Sequence, residues 1–475
     1  MITKGLACGV AALALAGCKF PDFTLGPRSP RGIDAVYVSP AEYVFIVGDT
    51  VRLTAVATTK ECDIEFCRES AVPASFTWSS SDPSIVTVSN GLARAVGRGT
   101  AYVRAVADSV AGKAEIHVGS GYVPLARVSL GGRCGLTDAG AVYCWGGLPI
   151  ASPDTAFGLD TPRLLAGGLT FASVMVGSTM GCGIATDARG YCWGSGYLGG
   201  EVSSYSGKPV LVTGGLTFQS LSPGKRSDFG NPHTCGVAAD GAAWCWGSDD
   251  VGQLGTDSAP LVCYDGVVGH NYRCSTVPLR VAGGPAFTSI SAGGKHTCAL
   301  TSDGTAYCWG DNTWGQLGDG STQSRTEPAS VSGAPALTSL AAGVEHTCGL
   351  TSQGTAWCWG RNEGGELGIG SLDSSAHPVP VPVLGGAQFT SLDAAATTCG
   401  LDPAGQVYCW GGALTAPTLV PGGLTFGTIG LSIASGAGYS VGPRQGMACG
   451  IAADLRAYCW TGAGNPVALR GPVRP

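Results

Sequence analysis

Cysteine is the residue type whose number and spacing in this chain most clearly indicate disulfide formation or metal binding. Twenty of the 475 residues are cysteine. Fourteen of them form seven pairs separated by ten residues, and the pairs recur about every 50 residues. Neighbouring thiols can form a disulfide, and neighbouring thiolates can bind zinc. The pairs are Cys134 and Cys144, Cys182 and Cys192, Cys235 and Cys245, Cys298 and Cys308, Cys348 and Cys358, Cys399 and Cys409, and Cys449 and Cys459.

The residues between the paired cysteines predict how each pair is held. Between Cys298 and Cys308 lies a Thr-Ser-Asp-Gly-Thr turn, in which Gly304 supplies the positive φ that a three-residue hairpin loop needs. If Thr301 pairs with Thr305, the alternation of side chains along strands places the two cysteines opposite each other. Zinc would need two pairs to converge, whereas successive repeats hold the pairs apart. We therefore predict seven cross-strand disulfides.

The first 17 residues have the features of an export signal. Lys4 precedes an apolar run from Leu6 to Ala16 that is too short to span a membrane. The run ends in Leu-Ala-Gly before Cys18, which resembles the lipobox of bacterial lipoproteins. This resemblance implies that residues 1–17 are removed and that Cys18 is acylated, followed by an extended tether to residue 32. The alternative is an ordinary signal peptide with a chance cysteine.

The remaining cysteines agree with export to an oxidising compartment. Removing Cys8 with the leader and assigning Cys18 to lipid leaves eighteen cysteines, an even number, in nine close pairs. No other stretch reaches the ~18 apolar residues of a spanning helix, so we expect lipid at Cys18 to be the only membrane attachment. The two pairs outside the repeat are Cys62 with Cys67, and Cys263 with Cys274.

Composition and motifs disfavour nucleic-acid binding and the common catalytic classes. Charged residues make up 13% of the chain and the formal net charge is −6, which does not suit a phosphate backbone. We find no phosphate-binding glycine loop, zinc-protease helix motif or nucleophile elbow. His233, His296 and His346 occupy one repeat position before Thr-Cys, which favours a structural role over a metal ring. We predict no catalytic residue, no metal and no cofactor.

Residues 33–119 have the pattern of a small β-sandwich, because short β-branched runs alternate with turn residues. The run from Trp78 to Val88, followed by NGL at 90–92 and GRGTA at 97–101, resembles the bacterial immunoglobulin-like group 2 domain. That resemblance implies a spacer or adhesion module of bacterial surface proteins. We expect Trp78 to lie in the sandwich core rather than to contact a ligand.

Residues 121–475 repeat a unit of about 50 residues, a period typical of propellers and solenoids. The unit HTCALTSDGTAYCWG begins at His296, and Gly-Gln-Leu-Gly follows at 315–318, with cognates at 252–255 and 365–368. These motifs resemble the regulator of chromosome condensation repeat, which implies a seven-bladed β-propeller of four-stranded blades. The chain is thus expected to be all-β, with the immunoglobulin-like sandwich before the propeller.

A tryptophan directly follows the second cysteine of every unit. Such an aromatic series could stack sugars or bases, but its recurrence favours packing between blades. These residues are Trp145, Trp193, Trp246, Trp309, Trp359, Trp410 and Trp460.

A proline-containing strand precedes six of the units, and a seventh copy at 466–469 follows the last hairpin. We predict that each blade begins with its proline strand. The C-terminal strand would then complete the first blade and close the propeller, which removes exposed sheet edges.

Alternating strand directions put all three enlarged loops of the repeats, 222–232, 256–276 and 435–446, on one face of the propeller. Loops this long are usually functional or disordered, and a disulfide within the second argues against disorder. The alternative is tolerated surface insertion. Since tyrosine and arginine are common interface anchors, our candidate contacts are Arg226, Phe229, Tyr264, His270, Tyr272, Tyr439 and Arg444.

These features predict a non-catalytic binding protein, monomeric and lipid-anchored in the bacterial envelope, with the outer membrane or cell surface favoured. Extracellular propellers of the repeat family include an inhibitor that covers an enzyme with one face, so the resemblance implies a protein ligand. Two alternatives stay open. One is carbohydrate binding or adhesion through loop aromatics, and the other is a purely structural envelope role.

Overall fold

The computed structural model describes residues 33–39, 42–62, 67–119, 125–128, 133–145, 162–200, 205–225, 232–265, 270–433, 446–461 and 464–469. All regular structure in these ranges is β-strand, as predicted. The leader, Cys18 and the tether lie outside the described residues. No helix in the described ranges could cross a membrane.

The first domain is built from ten strands in three sheets with the orders β1-β4-β5, β2-β10-β9-β6 and β3-β8-β7. Side chains of β9 alternate between the core and solvent, as expected for a sandwich strand. Trp78 is partly buried and packs against this core, in agreement with its predicted role. The strands are β1 (Ala35–Ser39), β2 (Glu42–Ile46), β3 (Thr50–Arg52), β4 (Thr54–Cys62), β5 (Cys67–Val72), β6 (Thr77–Ser80), β7 (Val86–Ser89), β8 (Leu92–Ala95), β9 (Gly99–Ala107) and β10 (Val110–Gly119).

The repeat region forms seven antiparallel sheets in chain order. The first two consist of β11 (Arg127–Val128), β12 (Cys134–Leu136), β13 (Val142–Cys144) and β14 (Arg163–Leu164), then β15 (Phe171–Val176), β16 (Met180–Ala185), β17 (Gly190–Ser195) and β18 (Tyr205–Leu211). The third has five strands, β19 (Phe218–Pro223), β20 (His233–Ala238), β21 (Ala243–Ser248), β22 (Leu261–Asp265) and β23 (His270–Arg280), in the order β19-β20-β21-β23-β22. The fourth consists of β24 (Ser289–Ala292), β25 (His296–Leu300), β26 (Ala306–Gly310) and β27 (Arg325–Ser330).

The last three sheets again have four strands each. They are β28 (Leu337–Ala342), β29 (His346–Thr351), β30 (Ala356–Asn362) and β31 (Asp373–Pro382), then β32 (Ser391–Ala394), β33 (Thr398–Leu401), β34 (Val407–Gly411) and β35 (Leu414–Leu419), then β36 (Phe426–Ile433), β37 (Gly446–Ala452), β38 (Ala457–Thr461) and β39 (Val467–Ala468).

The cysteine hairpins form as the turn sequence predicts. In the fourth sheet Thr301 N donates to Thr305 O at 3.0 Å, and Cys298 lies opposite Cys308 in the register. All seven repeat pairs form disulfides with Cα atoms 4.0–4.1 Å apart. Cys263 and Cys274 form an eighth disulfide, with Cα atoms 6.0 Å apart. The backbone register places Cys62 opposite Cys67.

The proline strand occupies a different position from the one predicted. It follows each hairpin and pairs with the second hairpin strand, as β27 does when Ala329 lies opposite Cys308. The first sheet therefore contains its own proline strand, β14, and the C-terminal strand β39 belongs to the last sheet. The prediction that the C-terminus completes the first blade is wrong. Because proline lacks the N–H that a central strand must donate, the outer edge is the position it tolerates.

The first and last sheets contact each other without sharing a strand. Val128 N lies 3.0 Å from Thr428 Oγ1, to which it donates a hydrogen bond. Trp145 of the first sheet packs in one apolar cluster with Ile451 and Leu469 of the last sheet. Side-chain packing therefore joins the two ends of the repeat region.

The repeated tryptophans pack between neighbouring sheets, as predicted. Trp359 is fully buried with Leu317 of the preceding sheet, and its Nε1 donates to Gln316 O at 2.9 Å. Gln316 and Leu317 belong to the Gly-Gln-Leu-Gly motif. The motif thus supplies the leucine side chain that packs with the tryptophan of the next sheet and the carbonyl oxygen that accepts its hydrogen bond. Gly318 ends the motif at φ 71°, where a Cβ would lie 2.8 Å from the same indole nitrogen. Only glycine fits this position.

Candidate partner-binding face

One end of the propeller carries two sets of loops, those joining the first strand to the second and those joining the third to the fourth. We call this end the loop face. Because the strands in each sheet are antiparallel, the hairpin turns and the links between sheets lie at the opposite end. The strands that flank each of the three enlarged loops meet those loops at the loop face.

The second enlarged loop, 256–276, contains a β-hairpin rather than irregular chain. Its strands are β22 and the first half of β23, with Cys263 opposite Tyr272 in the register and a disulfide to Cys274. β22 therefore becomes the outermost strand of the third sheet. Its side chains are largely in solvent, since Val262 is 74% exposed and Tyr264 is 67% exposed.

The described contact candidates have different environments. Tyr264 is exposed, as a contact residue should be, and the backbone of His270 begins β23 opposite Asp265. Tyr272 is buried, and its hydroxyl lies 2.7 Å from that of Tyr197 in the preceding sheet. The prediction that Tyr272 is a contact residue is wrong, because it packs the hairpin against its neighbour. Arg226, Phe229, Tyr439 and Arg444 lie outside the described residues.

A second feature of the loop face is a pocket of about 290 Å³ between the fifth and sixth sheets. Its lining includes Glu345, His346, Arg361, Glu363 and Glu366. The Arg361 guanidinium forms ion pairs with Glu345 and Glu363 and lies 5.4 Å from the Trp314 ring centre. Three carboxylates thus surround one cation, so the pocket has an excess of negative charge.

The electrostatics of this pocket follow from partial burial. Burial raises the pKa of Glu366, although its carboxylate accepts a hydrogen bond from Gly364 N at 2.8 Å. Burial opposes the charged form of Arg361, yet hydrogen bonds with Glu363 and the charge of Glu345 raise its pKa above the usual value. This pocket was not predicted from the sequence. Its signal was glutamate at 366, where the cognate motifs carry Gln253 and Gln316.

A buried ion pair connects two sheets that are not neighbours. Lys225 lies in the first enlarged loop, and its Nζ lies 3.0 Å from Asp393 Oδ1 of the sixth sheet. Asp393 also accepts hydrogen bonds from Ala394 N and Leu431 N, each at 2.8 Å. The pair lies on the loop face and fixes the base of that loop.

The repeated histidines are structural, as predicted. His233, His296 and His346 donate to or accept from a threonine hydroxyl of the next sheet at 2.7–2.9 Å. Burial lowers their pKa values to about 3, about 4 and about 3, so they are neutral at physiological pH. No group of three or more His, Cys, Asp or Glu within the described ranges could hold a metal ion.

One buried carboxylate departs from the repeat. Asn312 and Asn362 each accept a hydrogen bond from the motif leucine and donate to their own loop, as Asn312 Nδ2 does to Ser321 O at 3.0 Å. Asp249 occupies this position in the third sheet and accepts from Leu254 N at 3.1 Å. Its Oδ2 has no hydrogen-bond partner within the described part of the chain, and Arg273 Nε is 3.9 Å away. Burial raises its pKa to about 6.

Comparison with known families agrees with this architecture. The Regulator of chromosome condensation (RCC1) repeat matches residues 240–300, 303–350 and 353–400. A second description of that repeat matches 287–316 and 337–366, and the Bacterial Ig-like domain (group 2) matches 33–118. The chain therefore contains RCC1 repeats preceded by a bacterial Ig-like domain.

Curated relatives match the repeat region alone. Protein pim1 of Schizosaccharomyces pombe is 31% identical over an alignment of 204 residues, which covers 39% of this chain and 36% of pim1. The ultraviolet-B receptor UVR8 of Arabidopsis thaliana is 29% identical over 39% of this chain and 40% of UVR8. The human E3 ubiquitin-protein ligase HERC2 is 28% identical over 40% of this chain and 4% of HERC2. The chain thus matches two fifths or less of each.

Solved structures show the same propeller fold. Yeast RCC1 (Prp20) bound to Kap60 superposes with a TM-score of 0.54 at 20% identity, covering 64% of this chain and 77% of Prp20. Human WBSCR16 gives a TM-score of 0.53 at 16% identity, covering 71% and 93%. A further Prp20p structure, from Saccharomyces cerevisiae, is described with its binding to Gsp1p and histones. RCC1-type propellers thus include proteins that bind other proteins.

Proposed function

We propose that this chain is a lipid-anchored protein of the bacterial envelope whose propeller binds a protein partner through the loop face, without catalysis. The observation that carries the proposal is the disulfide-bonded hairpin of residues 261–274, which is built on that face and exposes Val262 and Tyr264. Large apolar side chains held in solvent on a rigid element are typical of interface anchors.

The envelope assignment rests on three supports. Many disulfides are typical of an exported protein, and a bacterial Ig-like domain precedes the propeller. The Leu-Ala-Gly-Cys sequence ending at Cys18 supplies an acylation site. The domain order would then be a leader over 1–17, a lipidated tether over 18–32, the Ig-like domain over 33–119 and the propeller over 121–475. The Ig-like domain would act as a spacer.

A capture experiment tests the proposal. The full-length oxidised chain, solubilised in detergent, serves as bait for envelope and culture extracts. A deletion of 259–274 removes both Cys263 and Cys274 but keeps residues 275–280, which include the pairs Gly247–Ser275 and Cys245–Leu279 with β21. We expect a partner captured by the intact bait and lost from the deletion. Asp303→Lys, in a hairpin turn on the opposite face, serves as the control and should capture normally.

A glycan ligand is the second candidate, because Tyr264 presents an exposed aromatic ring and Asp265 follows it in the sequence. A ring of this kind can stack on the face of a sugar. A glycan array probed with the same chain separates the candidates. If the chain binds the array, Tyr264→Ala abolishes that binding and no protein is captured, the ligand is a carbohydrate and not a protein. Absence of both signals would favour a structural role.

A further inference from the structure

The outer edge of the third sheet differs from the other outer edges of the propeller. Five of the fourth strands contain a proline, which interrupts edge pairing, and the other two are only two residues long. Short strands and prolines are both devices that protect sheet edges from pairing with other chains. The strands with proline are β18, β23, β27, β31 and β35, and the short ones are β14 and β39.

β22 has neither protection. It covers the proline strand β23 with five residues, Leu261–Asp265, and the only nearby proline, Pro260, lies outside its N-terminal end. One backbone edge of β22 pairs with β23, and the structure places no strand on the other edge within the described residues. An unprotected edge of this kind can accept an additional strand.

The side chains of β22 suit such an addition. Val262 and Tyr264 alternate with Cys263 and so project from the same side of the sheet, where they are 74% and 67% exposed. β-Branched and aromatic residues are the side chains that pair best across neighbouring strands. The disulfide between Cys263 and Cys274 ties the strand to β23 and reduces the conformational entropy lost on binding.

Charge near β22 indicates the chemistry of the occupant. Asp257 precedes the strand with its side chain 79% exposed, and Asp265 is the last residue of the strand. The nearby cation is Arg273, whose guanidinium is 3.9 Å from Asp257 and is shared with the buried Asp249. Acidic groups therefore outnumber cations here, which favours a segment with basic ends.

A second copy of this chain fits the edge less well. Antiparallel pairing of two β22 strands would bring acidic ends together, in a chain whose formal net charge is −6. A five-residue strand pair also falls far below the ~1,200 Å² that a stable protein interface buries. The edge is better matched to a peptide segment than to a dimer partner.

We propose that β22 is a strand-addition site for an extended segment of a protein partner, with alternating apolar side chains and lysine or arginine at its ends. The inference rests on the proposed function, since it takes the partner to be a protein. Backbone hydrogen bonds along β22 would supply affinity, and Val262 and Tyr264 would contact the alternate apolar side chains.

The test uses the full-length oxidised chain and a labelled synthetic peptide, acetyl-Lys-Val-Thr-Val-Thr-Val-Lys-amide, with binding followed by fluorescence anisotropy. One control peptide carries N-methyl groups on its three central amides, and another has glutamate in place of both lysines. We expect saturable binding of the first peptide alone. Hydrogen exchange should show that this peptide protects amides within residues 261–265.

Variants localise the binding. Val262→Pro should weaken peptide binding by about tenfold or more, because it removes an N–H and distorts the edge. The double variant Val262→Lys and Tyr264→Lys keeps the strand foldable, since both side chains are exposed, and should weaken binding through charge repulsion. Val467→Lys is the matched control, because Val467 is 69% exposed on an outer strand. Asp257→Lys should shift preference toward the glutamate peptide.

Several results would overturn the inference. Equal binding of the N-methylated peptide, unchanged binding by both β22 variants, or no saturable binding each contradicts strand addition. A dimer in sedimentation that Val262→Pro dissociates would assign the edge to a second copy instead. In the capture experiment, a further contradicting result is a partner retained by the double lysine variant and lost when 259–274 is deleted. That result would refute β22 as the binding strand but would still support partner binding at the loop face. Capture by neither bait would refute the proposed function itself.

Discussion

The replacement Lys225→Met tests whether the buried ion pair on the loop face holds the ring of sheets together. Methionine keeps most of the side-chain volume and removes the charge. Lys225 and Asp393 side chains are 10% and 5% exposed, so water cannot readily replace the lost ammonium group. Removing one partner of a buried pair leaves an uncompensated charge and typically costs about 3–5 kcal/mol.

Two contacts place the expected cost at the lower end of that range. Asp393 keeps the hydrogen bonds from Ala394 N and Leu431 N, each 2.8 Å long, and these continue to stabilise its carboxylate. We therefore expect Lys225→Met to lower the free energy of unfolding by about 3 kcal/mol. Adding Asp393→Asn removes the buried negative charge while retaining an acceptor for Leu431 N. The double variant should recover about 2 kcal/mol of the loss.

Denaturant unfolding followed by tryptophan fluorescence measures this effect, because ten of the eleven tryptophans lie in the repeat region. Arg189→Met is the control, since the side chains of its ion pair with Asp187 are 50% and 43% exposed and water screens their attraction, so the pair should contribute little to stability. A loss of stability no larger for Lys225→Met than for Arg189→Met would show that the buried pair does not stabilise the fold. So would a double variant no more stable than Lys225→Met.

Three further predictions concern the repeats. Replacing both Cys298 and Cys308 by serine should lower the free energy of unfolding by up to about 2.7 kcal/mol, measured against the oxidised parent, because the disulfide closes an 11-residue loop; no change would contradict a closed disulfide. Asp249→Asn should stabilise the chain by about 1 kcal/mol at pH 7, because asparagine can donate as Asn312 does. The pKa of Asp249 is raised to about 6, so the loss of folding stability that its ionised form causes is present above pH 6 and should shrink as the pH falls toward 4. A stability gain from Asp249→Asn that persists at pH 4 would contradict this. Burial lowers the pKa values of His233, His296 and His346 from the usual 6.5. Unfolding therefore takes up protons at any pH below 6.5, and the free energy of unfolding should fall as the pH drops from 6.5 toward 4. His296→Gln should reduce that slope by about 1.4 kcal/mol per pH unit, and an unchanged slope would show that His296 titrates normally.

The local parts of the fold were predictable from the sequence. The turn at Gly304 pairs Thr301 with Thr305, and the two cysteines lie three residues outside these threonines. This spacing determines the register of the hairpin, and the structure has that register. The position of the repeated tryptophans beside the second cysteine determines the side of the strand on which they lie. Short-range alternation carries this information directly.

The starting point of the repeat was not predictable in the same way. A four-strand period looks identical in sequence whichever strand is counted first, so the proline strand could be read as first or last. The preference of proline for an outer edge was the physical clue that favours the last position. Only the pairing of β14 with β13 and of β39 with β38 decides the matter.

Contacts between distant residues account for the other differences. Tyr272 is buried because Tyr197 of the preceding sheet lies against it, and no local pattern relates these two positions. Lys225 and Asp393 are separated by 168 residues. Aligning the repeat units does reveal two departures, Asp249 at an asparagine position and Glu366 at a glutamine position, and both lie on the loop face.

Site-specific photocrosslinking shows which face of the propeller contacts a protein partner. A benzophenone amino acid replaces Tyr264 or Glu363 on the loop face, and Asp303 or Gln353 in hairpin turns on the opposite face, within the full-length chain produced in its native cells. We expect crosslinks to one protein partner from the two loop-face positions and no crosslinks to that partner from the two hairpin turns. Crosslinks to that partner from the hairpin turns, or none from the loop face, would contradict this expectation.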